Sequence, residues 1–113
     1  MPAEASNSRE VLLKLLAIYQ GANGKRADRQ RIWKQIASFI SSGGNVPSYS
    51  RQTRSDIPPR QFQADINKLL RGGLIYRLED GRLEVTPLGR SIASARSLPA
   101  SLARLQKRVE RLP

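Results

Sequence analysis

Residues 57–90, IPPRQFQADINKLLRGGLIYRLEDGRLEVTPLGR, read in order as a helix, a glycine stop, a short β-hairpin and the start of another helix. The first helix begins no earlier than Pro58-Pro59, because proline suits a first helical turn and drives the residue before it out of the helical region. Beyond that pair, Phe62, Ile66, Leu69 and Leu70 recur at the spacing of a single helical face. Arg60, Gln61, Ala64, Asn67, Lys68 and Arg71 fall on the opposite face. One side is expected to enter a core, and the other is a row of hydrogen-bond donors. Gly72-Gly73 supplies the left-handed residue that commonly ends a helix. Leu74–Leu78 and Arg82–Val85 are β-prone runs around Glu79-Asp80-Gly81, and Asp-Gly between such runs is a strong hairpin signal. Thr86-Pro87 then places an N-cap before a proline at the first position of a further helix.

Upstream, Asn7-Ser8-Arg9-Glu10 fits a capping box, with Asn7 as the cap and Glu10 reaching back from the third helical position. The helix it opens runs to about Gln20. Leu12, Leu15, Leu16 and Tyr19, flanked by Val11 and Ile18, form its buried face; Leu13 lies off that stripe and is expected to be exposed, or in contact with a partner. A second helix runs from about Asp28 to Ser41, burying Ile32, Trp33, Ile36, Ala37, Phe39 and Ile40, with Trp33 read as core rather than as a base-stacking platform. Residues 42–56, SGGNVPSYSRQTRSD, make a connection far longer than an ordinary helix-turn-helix turn. Tyr49, Arg51 and Arg54 with neighbouring hydroxyls are phosphate-contacting chemistry, and a tolerated surface insertion is the competing reading. In the tail, Leu98, Leu102, Leu105, Val109 and Leu112 repeat at 4, 3, 4, 3 spacing, the seam of a coiled coil. Two heptads are too few to stand alone, so this stripe must pack on its own domain or on a second subunit.

A chain of 113 residues is long enough for one modest core. It has no cysteine and no histidine, so disulfides, thiolate metal sites and histidine-based catalysis are excluded. No paired carboxylates, nucleophile motif or phosphate-cradling loop is present, and no cofactor, metal or enzymatic activity is expected. No run approaches a membrane span and no signal-peptide plan opens the chain; a cytoplasmic, nucleoid-associated protein is expected. The formal net charge is +11. By segment it is 0 over residues 1–24, +7 over 25–71, −1 over the hairpin 72–86 and +5 over 87–113. Fifteen of the twenty basic residues are arginine, the side chain that grips phosphates and guanine edges bidentately. A source-dependent bias toward arginine accounts for the total. A polyanion-binding surface accounts for the placement as well.

The run LLRGGLIYRLEDGRLEVTPLGR resembles the recognition-helix and wing region of winged helix-turn-helix transcription regulators, especially MarR-like and archaeal small regulators. In these, a leucine-rich helix end runs into Gly-Leu-Ile and the wing closes on Thr-Pro-x-Gly. The resemblance covers about residues 8–95. It implies a mainly α fold with a small β-hairpin wing, an α+β winged helix over residues 1–95, followed by a basic amphipathic C-terminal helix over 96–113. It also implies that the helix over about 58–71 enters the major groove of double-stranded DNA. Arg60 and Gln61 are then the best base-edge candidates, with Asn67 also in reach and Ala64 set to meet a thymine methyl. Lys68, Arg71, Arg51 and Arg54 are expected on phosphates, Arg77 and Arg82 on the wing strands, and Lys25, Arg26 and Arg29 ahead of the second helix. Such regulators often dimerise through helices outside the core, which favours a homodimer through Leu98, Leu102, Leu105, Val109 and Leu112. The wing departs from the pattern, because Glu79 and Asp80 place negative charge at its tip. The rival reading is a winged-helix interaction module, either RNA- or ribosome-associated or a subunit of a protein assembly. The donor stripe lacks the apolar anchors or stacking aromatics that such partners require.

Overall fold

The first helix, α1 (Ser8–Asn23), is buried on most of its circumference. Val11, Leu12, Leu13, Leu15, Leu16 and Tyr19 are all in the core. The other helices and both short sheets supply the surroundings that this requires, since a helix apolar on several sides must be packed on several sides. The computed structural model describes residues 3–23, 26–49 and 54–112. Around α1 stand α3 (Arg60–Arg71), α4 (Pro87–Ser94) and α5 (Ala103–Glu110), together with the hairpin β2 (Ile75–Arg77) and β3 (Leu83–Val85). Leu13, expected outside, is therefore inside, on the side facing Leu69, Leu74 and Ile92. Each fully buried leucine of this kind stabilises the fold by about 1.5–3 kcal/mol.

Local rules account for the helix ends. Asn7 caps α1, its Oδ1 accepting the Glu10 N–H at 2.9 Å. Glu10 does reach back, but to Ser6, whose N–H and Oγ donate at 3.2 and 2.6 Å. Those bonds hold its carboxyl below the usual range, aided by Arg96. Asp28 caps α2 (Arg29–Ser41) through the Gln30 N–H at 2.8 Å. At the end of α3, Gly73 takes φ 71° while the Leu74 N–H returns to the Leu69 carbonyl at 3.0 Å, a left-handed stop that costs glycine nothing.

The hairpin is antiparallel, with Ile75 opposite Val85, Tyr76 opposite Glu84 and Arg77 opposite Leu83. Ala27 lies alongside β3 and exchanges two backbone hydrogen bonds with Leu83, at 2.9 and 2.7 Å. The segment before α2 thus extends the hairpin by one short strand. Gln20 holds the hairpin to α1, its Oε1 accepting from the Val85 N–H at 2.8 Å. The Thr-Pro-x-Gly sequence closes this unit. The Thr86 hydroxyl donates to the Gly73 carbonyl at 2.7 Å and accepts the Gly89 N–H at 3.0 Å, while the Thr86 N–H reaches Leu74 at 3.0 Å. Gly89 is buried where a Cβ would fall onto the Leu74 carbonyl, so α4 can seat against the hairpin only with glycine there.

Two further features depart from the sequence reading. A second sheet, the parallel pair β1 (Ala3–Glu4) and β4 (Arg96–Ser97), ties the N-terminal segment to the end of α4, and the Arg96–Glu10 ion pair at 2.9 Å secures it. The tail is the second. Leu102, within a 3₁₀ turn (Ala100–Leu102), and Leu105, Val109 and Leu112 are buried against α1 and α2, and Leu98 packs partly beside them. The leucines of the stripe expected to form a dimer seam are thus part of the same core as residues 1–95. Its spacing fits one neighbouring helix as well as another, and the apolar faces of α1 and α2, which it covers, lie within the same chain.

Candidate nucleic-acid interface

α3 turns Phe62, Asp65, Ile66 and Leu69 inward. Arg60, Gln61, Asn67, Lys68 and Arg71 are exposed and Ala64 is half-buried. Arg60, Ala64, Asn67 and Arg71 follow one another along the outward ridge, with Gln61 and Lys68 beside it. The one charged residue on the inner face, Asp65, was unmarked in the sequence reading. It is 2% exposed and accepts hydrogen bonds from Ser8 Oγ at 2.6 Å, Tyr49 hydroxyl at 2.8 Å and Gln61 Nε2 at 3.0 Å. A buried carboxylate is tolerable only when its lone pairs are satisfied in this way. Asp65 thereby fastens three segments together: the start of α1, the long connection and α3 itself.

This corrects the reading of the 42–56 connection. Tyr49 does not point at solvent for phosphates. It is buried, with its ring edge-on to Trp33 at 5.6 Å between centroids and 6.2 Å from Phe62. Burial, reinforced by the adjacent Asp65, pushes its hydroxyl far above the ordinary tyrosine range, so it remains a donor. Val46 is buried too, and Trp33 Nε1 donates to the Arg54 carbonyl at 2.7 Å. The connection packs across the aromatic cluster and braces α3 from the side. Trp33 is core, as expected.

The cations fall into two groups. Arg26 pairs with Glu84 at 3.7 Å, Arg54 with Asp56 at 2.9 Å, Arg82 with Asp80 at 2.7 Å, and Arg96 with Glu10. The carboxyls of Asp56 and Asp80 sit below their usual range, the first through the Arg54 side chain and the second through the Arg82 backbone N–H and then its side chain. By contrast, Arg60, Lys68 and Arg71 on α3, and Arg77 on β2, have no ion pair among the described residues. Arg29 lies between the groups: its Nη1 donates to Gln63 Oε1 at 3.2 Å, joining the start of α2 to α3. Lys25 and Arg51 lie outside the described residues.

Arg9 lies beside the α3 surface, although its charge sums to zero with nearby acids along the sequence. It borders the cleft beside α3 formed with Ser48, Gln61 and Lys68, and Glu10 is already engaged by Ser6 and Arg96. A helical-wheel comparison of α1 with α3 could have suggested this only once the two were known to be neighbours. At the hairpin tip, Asp80 is neutralised by Arg82 while Glu79 stays exposed. Among the described residues, no three metal-ligating side chains gather, and no helix is long and apolar enough to cross a membrane. Comparison with protein families, curated proteins and solved structures finds no match.

Proposed function

We propose that this chain is a winged helix-turn-helix protein that binds double-stranded DNA by seating α3 in the major groove. The observation that carries the reading is the face of α3. Its cations are exposed and without ion pairs among the described residues, while its inner side is anchored by Phe62, Ile66, Leu69 and the bonded carboxylate of Asp65. A rigid helix with free charge is what phosphate and base contacts require. The element order supports the fold: α1, a strand-like Ala27, α2, α3 and then a hairpin to which Ala27 adds a third strand. Arg60 is assigned to a guanine edge. Asn67 becomes the better adenine reader, since part of the Gln61 amide is already bonded to Asp65. Lys68, Arg71 and Arg9 supply phosphate contacts.

The test is fluorescence anisotropy against duplex DNA, duplex RNA and single strands over a range of salt. Preference for duplex DNA with a steep salt slope supports the reading, because each phosphate neutralised adds about 0.9 to that slope. Weak and shallow binding to all of them would shift the assignment to an interaction module. One observation favours that alternative: Leu88 and Ile92, four residues apart on α4, are 54% and 38% exposed, an apolar pair suited to a protein partner.

A further inference from the structure

Beyond the α3 surface, we propose that α5 forms a second, independent surface for the DNA backbone, so that one molecule bridges two duplexes. Arg104, Lys107, Arg108 and Arg111 are all exposed and together line one shallow depression. None has an ion pair among the described residues. The single acid of the helix, Glu110, is engaged by Gln106 at 3.0 Å. Arg108 also donates to Ser38 Oγ on α2 at 3.0 Å, which holds the two helices together. α2 contributes the exposed Arg31 and Lys34 and contains no acid. Four charges lie along about 10 Å of helix axis at 1.5 Å per residue. One DNA strand carries a charge per about 3.4 Å, close to this spacing, and the one amide of α5, Gln106, is already bonded to Glu110.

α3 and α5 both pack on α1, and α5 packs on α2 as well; among the described residues no hydrogen bond or ion pair joins α3 to α5. Duplex DNA is stiff over about 150 base pairs and cannot fold around a body of 36 × 33 × 26 Å, so α5 is assigned a second duplex rather than the one held by α3. The burial of Leu102, Leu105, Val109 and Leu112 makes this surface rigid: the apolar side is fixed in the core and the basic side has nowhere to turn but outward. The inference rests on α3 holding the first duplex.

The experiment uses the full chain and two readouts: anisotropy on one labelled duplex, and capture of a free labelled duplex by an identical duplex immobilised on beads. The variants are R104Q/K107Q/R108Q/R111Q, the charge-retaining R104K/R108K/R111K, and R60Q/K68Q/R71Q on α3. Thermal melts confirm that each is folded. The expected result is that the native chain captures the second duplex and that α5 neutralisation abolishes capture. Single-duplex affinity should then fall less than about threefold, and the lysine variant should still bridge. The α3 variant should retain a residual, salt-sensitive affinity that disappears when the α5 changes are added. Undiminished capture by the α5-neutralised chain overturns the proposal, since bridging would then come from a dimer of α3 surfaces. Single-duplex binding without capture by the native chain overturns it as well, while leaving the α3 reading intact. Absence of binding to any duplex removes both readings. Tight binding of poly-glutamate without capture assigns the α5 face to an acidic protein instead.

Discussion

α3 and the β2–β3 hairpin both present arginine to solvent, and the two regions use it differently. On α3 the only acid is buried and the cations are left alone. On the hairpin the acids are outside: Asp80 holds Arg82, and Glu84 lies between Arg26 and the Tyr76 hydroxyl. Arginine is therefore free charge on α3, whereas on the hairpin Arg82 is half of a neutral pair and Arg77 alone is without an ion pair among the described residues. A count of basic residues says little about a binding surface until the acids are placed, because an arginine already paired must give up that partner to meet a phosphate.

The largest effect that could break this contrast comes from removing the acid beneath α3. Asp65→Ala leaves the Ser8 and Tyr49 hydroxyls buried without their acceptor and is expected to cost about 3–4 kcal/mol in urea unfolding. A cost below about 1 kcal/mol would mean that apolar packing alone holds α3. Next, R60Q/K68Q/R71Q is expected to weaken duplex DNA binding by about 100-fold at moderate salt, roughly 1 kcal/mol per cation. A decrease as small as that caused by hairpin substitutions would erase the distinction between the regions.

Alkaline pH sharpens the contrast through two tyrosines. The Tyr49 hydroxyl is raised above its ordinary value by burial and by Asp65. Its contribution is therefore intact below about pH 10 and is lost as pH rises beyond that, at up to about 1.4 kcal/mol per pH unit. Tyr49→Phe should flatten this decline in stability-versus-pH measurements. The exposed Tyr76 is also raised, chiefly by its hydrogen bond to Glu84, yet Tyr76→Phe should leave the curve nearly unchanged, since solvent screens that pair. The smallest effect is expected on the hairpin: Arg82→Gln should change duplex affinity by less than about threefold, because the charge it removes is already offset by Asp80. A tenfold loss would show that the pair opens on binding.

Much of the frame was legible in the residues. The α2 core, the inward stripe of α3, the glycine stop, the hairpin around Asp80-Gly81 and the cap at Thr86 all follow from short-range rules, and all are present. The exposed members of the α3 donor stripe follow from the same helical periodicity. The β1–β4 sheet escaped notice because strands of two residues carry no periodic signal. The position of Arg9 beside α3 is not legible in charge sums along the chain, which treat neighbours in sequence as neighbours in space.

Sequence by itself determined where α2, α3, the hairpin and α4 begin and which face of α2 and of α3 is apolar, since those depend on backbone dihedrals and side-chain period within a few residues. Tertiary structure alone decided what each face meets. It placed Leu13 and the tail leucines in the core rather than at a surface or a dimer seam, drew Tyr49 out of the solvent and into the aromatic cluster, and joined Ser8, Tyr49 and Asp65 from three distant segments. The physical reason is that burial and charge pairing depend on distances between elements. Such distances are set by the packing of the whole chain and leave no local trace in any one stretch of it.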